Sequence, residues 1–233
     1  MPRESRNRDR RSANIEPKKL IIAPEGVLTE VDYFNGIKTK LSRRFEQLLD
    51  IIVIKRGELE SSEEDIRFAI GSSSPERVLE YAENYIEKIE SEFDKSDDEL
   101  CIVVDKDNWG DRMLSSVKTL CNQKNYSLIV TNPCFELWLL LHHCDYTTLD
   151  QDIKNNIALN NKGPKEQRAF LKNFLKNYVT GFKYDELNID DFFDNIGVAL
   201  VNSEKLSPPS VGWPNEVGSQ MKIVFDKMPI KFE

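Results

Sequence analysis

The sequence predicts an α/β fold, with a mostly parallel sheet flanked by helices and a C-terminal helical extension. Two observations carry this expectation. Four short apolar runs, the clearest being Leu100 to Val104, are separated by stretches whose apolar residues recur at helical spacing; strands alternating with helices imply βαβ units and parallel pairing. Beyond about Cys144 that alternation gives way to polar, Asn- and Lys-rich helical sequence. The chain divides accordingly into a basic tail at 1–17, an α/β unit at 18–145 and a helical extension at 146–233 packed on the same core.

The elements follow in order. Lys18 to Gly26 is an apolar run closed by glycine, and Pro24, lacking an N–H for a ladder, marks the end of its strand. Val31, Phe34, Ile37 and Leu41 place a helix over Thr29 to Ser42. Leu48 to Ile54 is β-branched and forms a second strand, followed by a polar loop through Gly71-Ser-Ser-Ser74. Ser74-Pro75 has the form of an N-cap with proline at the first helical position, and Val78, Tyr81, Ile86 and Ile89 give that helix an apolar face. Leu100 to Val104 is a buried strand ending in Asp105-Lys-Asp107, and Gly110 to Asn122 is a helix with Met113, Val117 and Leu120 on one side. Tyr126 to Thr131 is the fourth strand, and Pro133 opens a helix carrying Phe135, Leu137, Trp138 and Leu141. In the extension, Asp150 to Phe182, Asp190 to Ser203 and Gly218 to Met228 read as helices, with a loop at Ser207 to Pro214.

Composition narrows the class. A chain of 233 residues, 31% charged and 39% hydrophobic, can bury one sizeable core under a solvated surface. No uninterrupted apolar run is longer than Leu137 to Leu141, which is far short of the ~20 residues a membrane span requires. Met1 to Pro17 is polar and arginine-rich with no apolar segment after the charges, so no secretory signal is expected. Cys101, Cys121, Cys134 and Cys144 show no zinc-ligand spacing and read as reduced thiols of a cytoplasmic protein. The net charge of −8 argues against bulk nucleic-acid binding, although seven arginines and lysines crowd the first 19 residues. Such a tail either gains affinity from phosphates by counterion release or simply solubilises the chain.

Three acids stand where parallel sheets place ligands, outside the carboxyl ends of the strands. Glu25 closes the first strand; Asp105 and Asp107 close the third, and a spacing of two residues on a strand directs both to one side. Mg²⁺ takes oxygen ligands, commonly one or two carboxylates completed by water and substrate phosphates. Paired ions of this kind stabilise the attacking and leaving oxygens of a phosphodiester. Acids at such places also cap turns and helix starts. No Walker or dinucleotide glycine motif and no nucleophilic triad spacing is present, so ATP hydrolysis by this chain is not expected.

The order Glu25-Gly26 after strand one and Asp105-Lys106-Asp107 after strand three resembles the Toprim signature of topoisomerases, primases and OLD-family nucleases. Three segments resemble the RloB (AbiLii-like) family more closely: Glu25 to Glu30 with Tyr33-Phe34, Val103 to Asp107, and Asn132 to Leu141. Trp213 to Val217 stands near the place of the family's late Asn-Pro motif in a different register, and no role is carried to it. The resemblance implies a Toprim-like catalytic domain in which Glu25, Glu30, Asp105 and Asp107 hold Mg²⁺ or Mn²⁺. With Glu136 they form the catalytic set of a nuclease cutting DNA or RNA, tRNA included. It also implies a role in prokaryotic anti-phage, abortive-infection defence beside an ABC- or OLD-type ATPase, with no membrane partner.

Supporting residues carry weaker expectations. Glu30 lies one turn into the helix after Glu25, where the helix dipole would favour an acid in any case. Glu136 sits among Phe135, Leu137 and Trp138, where a charge needs a partner or a metal. Asn132 is expected to cap the following helix, Lys106 to point away into solvent, and His142 and His143 to be structural. Trp138 and Phe135 belong to the core. Lys165 and Arg168 could grip phosphate, but exposed helix charges account for them better. Two further readings stand beside the nuclease: a regulatory subunit docking on the ATPase, and nucleotidyl transfer using the same acids.

Overall fold

A computed structural model describes residues 17–89, 93–163, 169–183, 186–206 and 212–232. The basic tail, Lys165 and Arg168 lie outside them. Five strands form one sheet in the order β2-β1-β3-β4-β5. They are β1 (Lys18–Pro24), β2 (Leu49–Val53), β3 (Glu99–Asp105), β4 (Ser127–Asn132) and β5 (Gly218–Ser219). The first four are mutually parallel and β5 is antiparallel to β4. Period-two alternation sorts each central strand between two cores. Leu20, Ile22, Cys101, Val103 and Ile129 enter one core. Ile21, Ala23, Leu100, Ile102, Val104, Leu128 and Val130 enter the other. Strands covered on both faces read as unbroken apolar runs, which is why these were legible.

Helix α1 (Thr29–Phe45) covers the first face with Tyr33, Phe34 and Ile37 fully buried. Helices α3 (Pro75–Lys88) and α4 (Asp111–Lys124) cover the second. The Ser74 hydroxyl accepts from the Arg77 N–H, so the expected cap with Pro75 behind it forms. Between β2 and α3, where a polar loop was expected, the structure has helix α2 (Glu63–Gly71). It buries no residue, so there is no apolar periodicity to read; it is held by the Ser62 cap and by Glu63, Glu64 and Asp65 in its first turn.

The chain beyond Cys144 differs in detail from the helical reading. Helix α5 (Glu136–Leu141) is followed by α6 (Gln151–Leu159), which ends at Asn160 with φ 42°, and α7 (Phe170–Leu175). Asp190 to Ser203 begins as two 3-10 turns before α8 (Ile196–Glu204). The expected terminal helix from Gly218 is instead β5 and then α9 (Lys222–Asp226), because Gln220 is spent on the sheet: its N–H donates to Val130 O and its side chain accepts from Val130 N–H. Leu171, Leu175, Phe192, Ile196, Met221 and Phe225 share a core with Leu20, Val103 and Trp138. The Asn202 amide donates to the carbonyls of Leu141 and Cys144 at the end of α5. No described helix is long and apolar enough to cross a membrane.

Candidate active site

The sheet order makes β1 and β3 neighbours while the chain leaves β1 in opposite directions for β2 and β3. This is a topological switch point, and the crevice outside the carboxyl ends of its strands is where open α/β sheets bind ligands. Glu25 follows β1 there and Asp105 ends β3. The Glu25 N–H donates to Val103 O at 2.8 Å, and the Asp105 N–H donates to the Glu25 carboxylate at 3.0 Å. The Trp109 indole N–H also donates to that carboxylate, 3.1 and 3.0 Å from its two oxygens. A carboxylate offers about four lone-pair positions, so these donors leave it capacity for a cation.

Asp105 shares its sheet face with Cys101 and Val103, the face on which α1 and α5 pack, and its Oδ1 accepts from the Phe135 N–H at 2.8 Å. Helix α1 brings Glu30 and helix α5 brings Glu136, both buried. Glu30 folds back over Gly26 so closely that a Cβ there would overlap its carboxylate, which gives the Glu-Gly pair a steric reason. Lys172 of α7 pairs with Glu136 at 3.1 Å.

Asp107 lies differently from the expectation. β3 ends at Asp105, so the two-residue strand spacing does not apply. Instead the chain turns, with the N–H groups of Lys106 and Asp107 both donating to Pro133 O, and Asp107 stands exposed at the mouth of the crevice. Lys106 is mostly buried and not solvated: it donates to Trp109 O and pairs with Asp111, closing the same turn. Pro133 follows a cis peptide and supplies this carbonyl to the turn; α5 begins three residues later, at Glu136. Asn132 does not cap α5, since its amide donates to Pro214 O.

The site is electrostatically loaded. Burial raises Glu25 to about 7, partly offset by the Asp105 and Trp109 donors and reinforced by Asp107. Glu30 is raised to about 7, first by burial and then by Glu136. Asp105 is pushed well above the usual carboxylate range by burial and by the charges of Glu30, Glu136, Glu25 and Asp107. Asp107, exposed as a residue but with its carboxyl partly desolvated by the crevice wall, is raised by that desolvation and then by Glu136. Burial disfavours the Lys172 ammonium, but Glu136 outweighs it and keeps the lysine charged. The five predicted acids therefore act on one another at one sheet edge.

Among the described residues, no three His, Cys, Asp or Glu side chains form a ready-made metal cage. The donor set nevertheless fits a hard divalent cation: it is all oxygen, and it carries a surplus of negative charge that a cation would relieve. Mg²⁺ commonly uses only one or two carboxylates besides water and substrate. The histidines stand apart. His142 is buried, with Nδ1 against Trp138 O at 2.9 Å, which assigns the proton to Nδ1 and leaves Nε2 to accept from the Tyr33 hydroxyl at 3.0 Å. Trp138 Nε1 donates to the same hydroxyl, completing a core network.

Three residues at this edge escaped the sequence reading. Trp109 and Lys172 reach the acids by tertiary approach, and nothing local distinguishes them. Arg56 follows β2, the neighbour of β1, and its position just past a strand end was a usable signal. The residue is 4% exposed; burial depresses its pKa, and Glu25 and Glu30 oppose that effect.

The fold and site thus define an α/β protein with a carboxylate cluster at the switch point of a mostly parallel sheet, an arrangement consistent with a Toprim-like fold. The chain matches the family model described as RloB-like protein over residues 20–224 and belongs to that family. Comparisons with curated proteins and with solved structures return no match.

Proposed function

We propose that this protein is a Mg²⁺- or Mn²⁺-dependent nuclease that hydrolyses phosphodiester bonds of DNA or RNA, tRNA included. In this reading it is the effector of a prokaryotic anti-phage, abortive-infection system with an ABC- or OLD-type ATPase partner. The observation that supports this most is the gathering of Glu25, Glu30, Asp105 and Glu136 at the switch point, the acidities of the first three depressed by burial and then by neighbouring acids. Burying several carboxyls together costs stability unless something binds them. Perturbed titration in a crevice is a mark of a functional site, and family membership favours the same conclusion.

The bound cation would supply Lewis-acid neutralisation of the phosphate and a more acidic water. Asp105 and Asp107 would hold it from β3 and the following turn, with Glu30 completing the donor set from α1. Glu25 either ligates or, with a pKa of about 7, accepts a proton from the attacking water. Lys172 pairs with the Glu136 carboxylate and so fixes its place beside the other acids.

The test is cleavage of labelled DNA and tRNA in Mg²⁺ or Mn²⁺ with the partner ATPase present. Asp105→Ala is expected to abolish cleavage while near-UV circular dichroism is unchanged, and full cleavage by that variant would defeat the assignment. A regulatory subunit that docks on the ATPase is the second reading, favoured by the lack of a preformed three-ligand cage among the described residues. It expects defence to survive the loss of Asp105 and Asp107.

A further inference from the structure

We infer that Arg56 is a phosphate-binding residue, and that the small cavity it lines between α2 and α3 receives a phosphate of the nucleic-acid strand beside the carboxylate site. The inference deepens the nuclease reading and rests on it for the source of the phosphate.

Arg56 is 4% exposed, yet its Nε and Nη1 find no hydrogen-bond partner, and Nη2 makes only a long 3.4 Å bond to Ile70 O. No ion pair holds it among the described residues. A buried guanidinium in this condition is costly to maintain for structure alone. Nε or Nη1, each beside a hydrogen of Nη2, can form the fork that matches a phosphate in bidentate fashion.

Placement adds a second, independent observation. Arg56 comes just after β2, at the same sheet edge as Glu25, and both Glu25 and Glu30 favour its charged form. Arg56 also lines a cavity of about 130 Å³ with Arg77, Ser72 and Asn84, together with two acids, Glu60 and Glu80. At ~30 Å³ per water that space holds about four waters, the scale of a phosphate and not of a nucleoside. Arg77 is already paired with Glu80, so among the described residues Arg56 and Glu60 are the charges of the cavity without an ion pair, and Arg56 is its one unpaired cation. A strand whose scissile phosphate lies at the carboxylates could place a neighbouring phosphate here.

The experiment is titration of inorganic phosphate, and separately of a short DNA oligonucleotide, into the full chain in EDTA, so that no cleavage or metal binding contributes. Wild type is expected to bind phosphate saturably. Arg56→Met should weaken this by about tenfold or more, Arg56→Lys should retain part of it, and Asp105→Asn should leave it intact or tighten it. A parallel loss for the oligonucleotide assigns the site to the strand; loss for phosphate alone overturns that source. Phosphate binding by Arg56→Met within about twofold of wild type, or none by wild type, refutes the inference. Arg56→Met should also melt at or above the wild-type temperature, since the charge it removes lacks a partner. A fall of more than about 5 °C would make the guanidinium structural and equally refute it. Phosphate binding that survives in a protein unable to bind Mn²⁺ would sink the nuclease reading while leaving this anion site standing.

Discussion

Replacing Glu30 by Gln removes a charge from one of the least solvated positions of the site while keeping size and acceptor capacity. Glu30 is 9% exposed and its carboxyl is raised from 4.5 to about 7 by burial and by Glu136. A raised carboxyl contributes fully to stability below its unfolded pKa, and that contribution is lost as pH rises from 4.5 through about 7. At ~1.4 kcal/mol per pH unit the whole interval corresponds to about 3 kcal/mol. Relaxation of the site and sharing of the repulsion with Glu136 reduce this to about 2 kcal/mol, or roughly 4–8 °C in melting temperature for a chain of this size. In EDTA at pH 8 the Glu30→Gln variant should therefore melt higher than wild type, and by pH 4 the advantage should disappear. Differential scanning fluorimetry across that range measures it. A variant less stable than wild type at pH 8, or one whose gain is the same at pH 4, would refute the electrostatic account of the site.

Three further outcomes are expected. Gly26→Ala places a Cβ against the Glu30 carboxylate and should cost about 1–3 kcal/mol while weakening Mn²⁺ binding, measured by denaturation and calorimetry. Lys172→Met strands the buried Glu136 carboxylate and should destabilise by about 1–3 kcal/mol at pH 8, less than for a fully buried pair because the lysine side chain is 42% exposed; adding Glu136→Gln should restore most of it. Burial holds His142 neutral with a pKa lowered from 6.5 to about 3, so its contribution is present above pH 6.5 and lost as pH falls toward 3. Urea denaturation between pH 7 and 4 should show a shallower decline for His142→Gln than for wild type, although the variant is less stable at pH 7.

The strands and the acids were legible for the same physical reason: both are fixed by local sequence at a sheet edge. Leu100 to Val104 is apolar throughout because both its faces are covered, and Asp105 follows because the strand must end in something polar facing the crevice. Helix α2 escaped because it buries nothing and so imposes no periodicity. β5 escaped because two residues, Gly218 and Ser219, are too short to carry a pattern. Glu30 and Glu136 were legible as acids one turn from strand ends, but their closeness to Asp105 depends on α1 and α5 packing on one face. Lys172 reaches the site through packing of a distant segment, and Trp109 meets Glu25 only because β3 lies beside β1, which no local spacing records; Arg56, just past the end of β2, alone carried a local signal.

The central claim, that these carboxyls form a metal site, is met most directly by calorimetric titration of Mn²⁺ into the full chain beside the Asp105→Ala/Asp107→Ala variant. The account predicts saturable binding to wild type that is lost in the well-folded variant. Equal binding by both proteins, or none by wild type even with an oligonucleotide present to complete the site, would contradict it.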